Sequence, residues 1–362
     1  MKNKKVVVAG ATGLVGSAAL RHFGASGDCE VVALSRRKPR DLHGASHVQA
    51  DLTDAAQCAR AAPQLLGATH LVYAALYEVP NLVDGWRDES QIRINDRMLR
   101  NLMAVLEPAA PALAHVALLQ GTKAYGVQVR PLKVPAREGR SEMYEQPNFY
   151  WAAQENFLRE LQHGKAWHWS ILRPVLIVGL AMGGAMDLIP PLGVYAAMLR
   201  EQGRPLDYPG GAARVSQAVD VDLLARAIAW AGEADAARNE AFNVTNGDVF
   251  TWENVWPAIA DALDMKPGEA VPLSLAQSWP QWIAPWEALR RKHGLISPGL
   301  EAFVGLSFQY ADYSMRHGQA TQGPPSIVST VKINQAGFTE MMDTEDMFRK
   351  WFRSARASRL LP

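Results

Sequence analysis

The chain has 362 residues, 48% of them hydrophobic and 20% charged, which is enough apolar material for one large core or a core plus a smaller subdomain. A formal net charge of +1, with both signs scattered, excludes the one-signed field that gathers nucleic acid or an acidic membrane surface. Cys29 and Cys58 make neither a disulfide framework nor a metal-ligand spacing, so no metal is expected; both read as small buried apolar residues, and a reducing cytoplasm is the expected compartment.

From the amino terminus, Val6, Val7 and Val8 form an apolar run too short for a secretory signal, and a glycine-rich turn interrupts it. Residues 5–8 read as a first strand, and further strands are expected at 30–34, 70–73, 115–119 and 170–172. Between them, 14–23 and 98–106 carry apolar residues at helical spacing, so each covers a sheet face. That alternation predicts βαβ units and a Rossmann-type, doubly wound parallel sheet of the α/β class. The apolar stretch 174–199 is long enough to span a bilayer, but Asp187 and the pair Pro190 and Pro191 divide it, and its start reads as strand. No membrane segment is therefore expected. Residues 182–199, rich in Met and Leu, read as a pocket lid or an oligomer surface, and a homodimer is compatible with the second.

A helix at 220–230 and a strand at 241–244 return the chain to the sheet, and a mostly helical remainder follows. The division expected is a dinucleotide-binding domain of residues 1–178 and 215–250 and a smaller, mainly helical substrate lobe of 179–214 and 251–362. Trp252, Trp256, Trp279, Trp282 and Trp286 make that lobe strongly apolar, suited to an uncharged, lipid-like or terpenoid molecule better than to a sugar nucleotide.

Gly10, Gly13 and Gly16 lie where the first strand ends and a helix begins, allowing a tight turn, close approach to a pyrophosphate and close helix–sheet packing. Thr12, Leu14 and Val15 belong to the same turn and helix start, whose unpaired N–H groups would face the phosphates. At the end of the second strand, where NAD-dependent enzymes place an acidic residue on the ribose, stand Ser35, Arg36 and Arg37. Guanidinium groups fork onto a phosphate, so the expected cofactor is NADPH or NADP+.

Further along come Gly121, Thr122 and Lys123, then Asn148, Phe149 and Tyr150, then Arg173 and Pro174, and near the end the run from Lys332 to Phe338. Together with the glycine turn, this order resembles the progesterone 5β-reductase and iridoid synthase family, an atypical branch of the extended short-chain dehydrogenase/reductases. Ordinary extended members bring Ser, Tyr and a helix Lys together on a carbonyl. Here Tyr150 keeps the Tyr, Gly121 stands at the place of the Ser, Gln154 at that of the Lys, and a lysine reappears as Lys123. The resemblance implies an NADPH-dependent reductase of activated carbon–carbon double bonds with Tyr150 and Lys123 catalytic. It also implies Asp51 and Leu52 at the adenine, Ala74 and Ala75 beside the ribose, Gln120 and Gly121 along the cofactor, and Pro174 and Ile177 at the nicotinamide carboxamide. Asn95, expected at a helix start, resembles a structural Asn of the same families.

A tyrosine titrates near pH ~10 in isolation, and a cation within about 4–6 Å lowers such a group by about 1–3 units. Lys123 is the candidate cation, reaching the cleft from the turn and not from the helix of Tyr150. In a 1,4-reduction, hydride would reach the β-carbon and charge would collect on the carbonyl oxygen as an enolate, where both residues would donate hydrogen bonds. Tyr150 or water would then protonate the α-carbon. The expected substrate is a small apolar enone or enal, with steroid- and terpenoid-like molecules in range. Thr122, Ala124, Trp151, Gln154 and Glu155 depart from the plant members and leave a small enone equally consistent. Two further readings stay open: a carbonyl reductase or sugar-nucleotide epimerase or dehydratase of the same extended class, and a non-catalytic NADP(H)-binding regulator.

Overall fold

Runs of β-branched residues with no polar alternation form strands covered on both faces, and this sheet is assembled from such runs. The computed structural model describes residues 4–144 and 151–362, together with the backbone of Tyr150. In chain order the first half comprises β1 (Lys4–Ala9), α1 (Leu14–Ala25), β2 (Cys29–Ser35), β3 (Ser46–Gln49), α2 (Ala55–Leu65), β4 (His70–Tyr73), α3 (Leu82–Gly85), α4 (Glu89–Ala109) and β5 (His115–Leu119). A 3-10 turn (Thr122–Tyr125) follows β5, then α5 (Tyr150–Gln162), β6 (His168–Pro174), β7 (Leu176–Val178), α6 (Ile189–Glu201), β8 (Leu206–Tyr208), β9 (Ala218–Asp220), α7 (Val221–Glu233) and β10 (Glu240–Val244).

Seven strands pair in parallel in the order β10-β6-β5-β4-β1-β2-β3, so the direction of winding reverses between β1 and β4. This is the doubly wound Rossmann-type sheet expected. Successive side chains point to opposite faces: Val7 joins Leu65, Leu99 and Leu158 under α2, α4 and α5, whereas Val6 and Val8 join Leu20, Leu224 and Ile228 under α1 and α7. Two local expectations are corrected. The sixth strand runs over His168–Pro174, longer than 170–172, because the polar Arg173 within it finds buried partners. Asn95 lies in the second turn of α4, not at its start, because Asp88 caps that helix by accepting the Gln91 N–H at 3.0 Å.

β7 leaves the sheet and pairs with β9, opening the way to a second core. After α8 (Trp252–Ala262), β11 (Pro267–Ala270) pairs with β8, and α9 (Leu275–Ser278), α10 (Ile283–His293), α11 (Leu300–Val304), α12 (Ser307–Ser314), α13 (Val331–Gln335) and α14 (Thr344–Ala357) follow; these helices join α6 in that core except α13, which returns to β10 and the sheet core. Trp286 stacks on Phe303 with centroids 5.5 Å apart and planes at 7°, and Trp252 meets both Phe250 and Phe348. Such aromatic pairs add directional contact to a large buried area. The carboxylate of Asp220 caps α7 and also accepts the Trp351 indole N–H at 2.8 Å, tying the last helix to the sheet side. Ile189 through Leu199 are all buried; of the segment expected as a lid or oligomer surface, residues 182–187 line the cavity at the sheet ends, while Tyr195, Met198 and Leu199 border a separate one beside α10. No helix among the described residues is long and apolar enough to cross a membrane.

Candidate active site

Open α/β sheets bind ligands beyond the carboxyl ends of their strands, at the point where strand order reverses. A cavity of about 660 Å³ lies there, at the ends of β1, β2, β4, β5 and β6. Gly10 has φ +80°, and a Cβ on it would sit 2.7 Å from the Ala74 carbonyl. A Cβ on Gly16 would sit 2.1 Å from the Gly10 oxygen, so α1 can approach the turn this closely only with glycine there. α2, α4 and α7 start with an Asp side-chain cap, but α1 starts on Gly13 with none, leaving its first N–H groups to the cavity.

The cavity collects most residues singled out in the sequence: Gly10, Thr12, Gly13, Leu14 and Val15; Ser35, Arg36 and Arg37; Asp51 and Leu52; Ala74 and Ala75; Gln120, Gly121 and Lys123; Pro174 and Ile177. Gly16 lies beneath the turn and not on the wall. The backbone of Tyr150 opens α5, and its side chain lies outside the described residues. Ser35 donates to the Arg37 carbonyl at 2.7 Å, shaping the basic turn, and no carboxylate among the described residues pairs with Arg36 or Arg37. Asp51 Oδ1 accepts from the Thr53 N–H and hydroxyl at 2.9 and 2.8 Å, which fixes the turn after β3.

Lys123 stands on the 3-10 turn with its side chain 18% exposed, and Glu78 Oε1 is 3.7 Å from its Nζ. The Trp86 ring centroid lies 4.1 Å from Nζ, within cation–π reach. Burial pulls the Lys123 ammonium down to about 8, against the opposing charge of Glu78. Burial likewise raises the Glu78 carboxyl, against Lys123. The Gly121 backbone is extended, and a Cβ there would meet the Pro174 oxygen at an ordinary 3.5 Å, so space does not forbid a serine. Gln154 donates to the Asn95 carbonyl at 2.8 Å, and Asn95 in turn accepts from the Tyr77 N–H at 2.9 Å. The helix position expected for a lysine is thus held by a neutral amide that braces the loop after β4.

A buried charge network supports this turn and helix. Arg173, fully buried on β6, donates to Gln120 Oε1 at 2.9 Å, to Glu155 Oε2 at 3.1 Å, to the Tyr125 hydroxyl at 3.3 Å and to Glu142. Tyr125 donates onward to Asn243 Oδ1 at 2.6 Å on β10. One guanidinium thereby joins the end of β5, the Lys123 turn and α5; removing it would leave two buried carboxylates without their shared counter-charge. Tyr125 is in this way structural.

The opposite wall is apolar, with Ala276, Trp279, Leu306 and Phe308; Trp279 stacks on Phe308 at 6.3 Å and 10°. Tyr310 and Asp187 also line it. Burial pushes the Asp187 carboxyl up to about 7, although the Ala181 and Ile189 N–H groups donate to it at 2.7 and 3.1 Å. Sequence reasoning missed Glu78, Trp86 and Glu142, and gave Asp187, Gln120 and Glu155 none of the contacts seen here. Of these, Glu78 had a signal, a lone carboxylate just past the carboxyl end of a central strand.

The profile of the PRISE-like Rossmann-fold domain matches residues 48–362. An (S)-8-oxocitronellyl enol synthase from Camptotheca acuminata is 27% identical, over 98% of this chain and 93% of that protein. A 3-oxo-Delta(4,5)-steroid 5-beta-reductase from Arabidopsis thaliana is 28% identical, over 98% and 92% respectively. Among solved structures, a UDP-glucose 4-epimerase from Brucella ovis in complex with NAD superposes with a TM-score of 0.66 at 15% identity, covering 97% of this chain and 98% of that one; it shares the fold. With the glycine turn, the Lys123 turn and the α5 start in the expected order along a doubly wound sheet, the chain belongs to the PRISE-like Rossmann-fold family, the progesterone 5β-reductase and iridoid synthase family that its motifs resemble.

Proposed function

We propose that the protein is an NADPH-dependent ene-reductase that reduces the carbon–carbon double bond of small, apolar α,β-unsaturated carbonyl compounds. The observation that carries this reading is Lys123: a lysine on the turn after β5, half-buried in the wall of the cavity, while the helix position of ordinary short-chain enzymes holds Gln154. The reductase and enol synthase activities in the names of its relatives support it.

The cavity fits a dinucleotide on three structural grounds: the space kept by Gly10 and Gly16, the uncapped start of α1, and two guanidinium groups with no carboxylate partner among the described residues. Gly10, Thr12, Gly13, Leu14 and Val15 would hold the pyrophosphate, Arg36 and Arg37 a 2′-phosphate, Asp51 and Leu52 the adenine, and Pro174 and Ile177 the nicotinamide end. When bound, the cofactor supplies the hydride. Lys123 and Tyr150 donate hydrogen bonds to the substrate carbonyl oxygen, and their donors strengthen as negative charge grows there. The Trp279 and Phe308 wall excludes water and seats an uncharged carbon skeleton.

The test is loss of NADPH absorbance with enones, enals and matched saturated ketones, by wild type, Tyr150→Phe and Lys123→Ala, with product identification. Saturated carbonyl product, little turnover of ketones and loss in both variants is the expected result. Alcohol as the main product would move the protein to the carbonyl reductases. Tight NADPH binding with no turnover of any enone would favour a cofactor-binding regulator.

A further inference from the structure

Lys123 shares its part of the cavity wall with a carboxylate that the family motifs do not include. Glu78, on the loop after β4, is 6% exposed at its side chain and keeps Oε1 3.7 Å from Lys123 Nζ. Its other oxygen accepts from Gln91 Nε2 at 2.6 Å, and Gln91 Oε1 accepts the Val79 N–H at 2.9 Å, so α4 fixes the carboxylate in place. Trp86 supports the ammonium from a second side. At 3.7 Å the Glu78 Oε1 contact is too long for a strong hydrogen bond, so the ammonium is attracted while its donors stay available.

Among the described residues, Glu78 is the only charge that shifts Lys123, although Tyr77, Asp187 and Tyr310 line the same cavity and Tyr150 opens α5. Arg173 of β6, Tyr125 at the far end of the turn, Glu142 between the turn and α5, and Glu155 of α5 are committed to one another; from α5, Gln154 and Trp151 carry no charge; from α12, Tyr313 lies against the Trp86 edge at 4.9 Å. A buried ammonium without a counter-charge tends to give up its proton, and a lone cation in a cavity also draws carboxylates and phosphates.

We propose that Glu78 is a positioning residue for Lys123: its carboxylate holds the ammonium protonated in the wall and makes the pair neutral, so that Lys123 offers N–H donors to an uncharged carbonyl. The inference rests on the proposed role of Lys123. It is tested first without cofactor or substrate, by the pH dependence of Lys123 acetylation with acetic anhydride, read by peptide mass spectrometry. The wild-type midpoint is expected near pH 8, where burial and Glu78 balance. Glu78→Gln, which keeps the shape and the Gln91 contact, is expected to lower it by about 1 unit or more. If the amide does not fold, Glu78→Asp, with its charge drawn back by one methylene, must still lower the midpoint. An unchanged midpoint in the variant overturns the proposal.

The pH profile of enone reduction supplies the second readout. Activity lost in Glu78→Gln should return as pH falls, because Lys123 regains its proton; a loss uniform across pH would mark a merely structural role and overturn the inference. The two readings fail separately. A shifted acetylation midpoint with no enone turnover by wild type would sink the ene-reductase and keep the pairing, whereas intact turnover with an unshifted midpoint would do the reverse.

Discussion

The two walls of the cavity are made of different material. On the sheet side the surface is backbone: the turn at Gly10 and Gly13, the uncapped start of α1, and the loop at Ala74 and Ala75 packed so close that a single Cβ would collide. On the lobe side the surface is side chain, with Trp279 over Phe308 and Tyr310 beyond. A backbone wall suits a ligand portion that every turnover shares, because its shape is set by dihedral angles and tolerates almost no change. A side-chain wall is set by volume and can be altered residue by residue without disturbing the sheet. Lys123 sits at the seam, on a sheet-side turn but resting on Trp86, which packs on α12 of the lobe.

The largest expected effect comes from the seam. Lys123→Ala should cut enone turnover by about 10²–10³-fold, the usual cost of one oxyanion donor, while NADPH affinity by fluorescence titration changes little. Gly16→Ala strikes the backbone wall and should weaken NADPH binding by roughly 100-fold or prevent folding, since its Cβ would lie 2.1 Å from the Gly10 oxygen and backbone must move. Normal binding by this variant would break the distinction between the walls.

The opposite edge of the sheet offers a contrast in stability. There His70, His115 and His168 stand in register on three neighbouring strands, and His115 shares a 2.8 Å hydrogen bond with Ser170. Burial, then the neighbouring histidines, lower His115 from 6.5 to about 3. The folded value lies below the unfolded one, so protonation favours the unfolded chain. The stabilisation is complete above about pH 6.5 and drains away as pH falls toward 3. About 2 kcal/mol should be gone at about pH 5, and urea unfolding of His115→Gln against wild type at two pH values would measure it.

Smaller effects sharpen the comparison. Arg36→Ala or Arg37→Ala should cost about 1.5–3 kcal/mol in NADPH binding, a typical charge-assisted contribution, with NADH nearly unaffected. Equal losses for both cofactors would remove these residues from phosphate recognition. Trp279→Ala should raise KM for apolar enones by about 10-fold and leave NADPH affinity alone, which steady-state kinetics with both substrates varied would show.

The sheet wall was legible in the sequence because its parts are local. A β run, three spaced glycines and two arginines at a strand end specify a turn whose geometry depends on a few neighbouring dihedrals. Lys123 was legible through family order, as a lysine displaced from helix to turn. Glu78 and Trp86 were not, because they meet Lys123 across 45 and 37 residues of sequence through a loop that α4 holds from outside. Arg173 was named without a role: a charge inside a strand makes sense only once Glu142, Glu155 and Gln120 are seen to converge on it. The burial of α6 was misread for a related reason, since an apolar run does not say whether a second core exists to receive it.

The loop from residue 78 to residue 86 is pinned at both ends of its span. Gln309 on α12 accepts the Leu82 N–H at 3.0 Å and donates to the Pro80 carbonyl at 3.2 Å, while Trp86 leans on Tyr313 of the same helix. A helix of the substrate lobe therefore carries the platform on which the Lys123 ammonium rests. On the proposed reading the arrangement would act as a lever: the way a substrate seats against α12 would set the aim of the group that meets its carbonyl, and a poorly fitting skeleton would be penalised in rate even where it is bound.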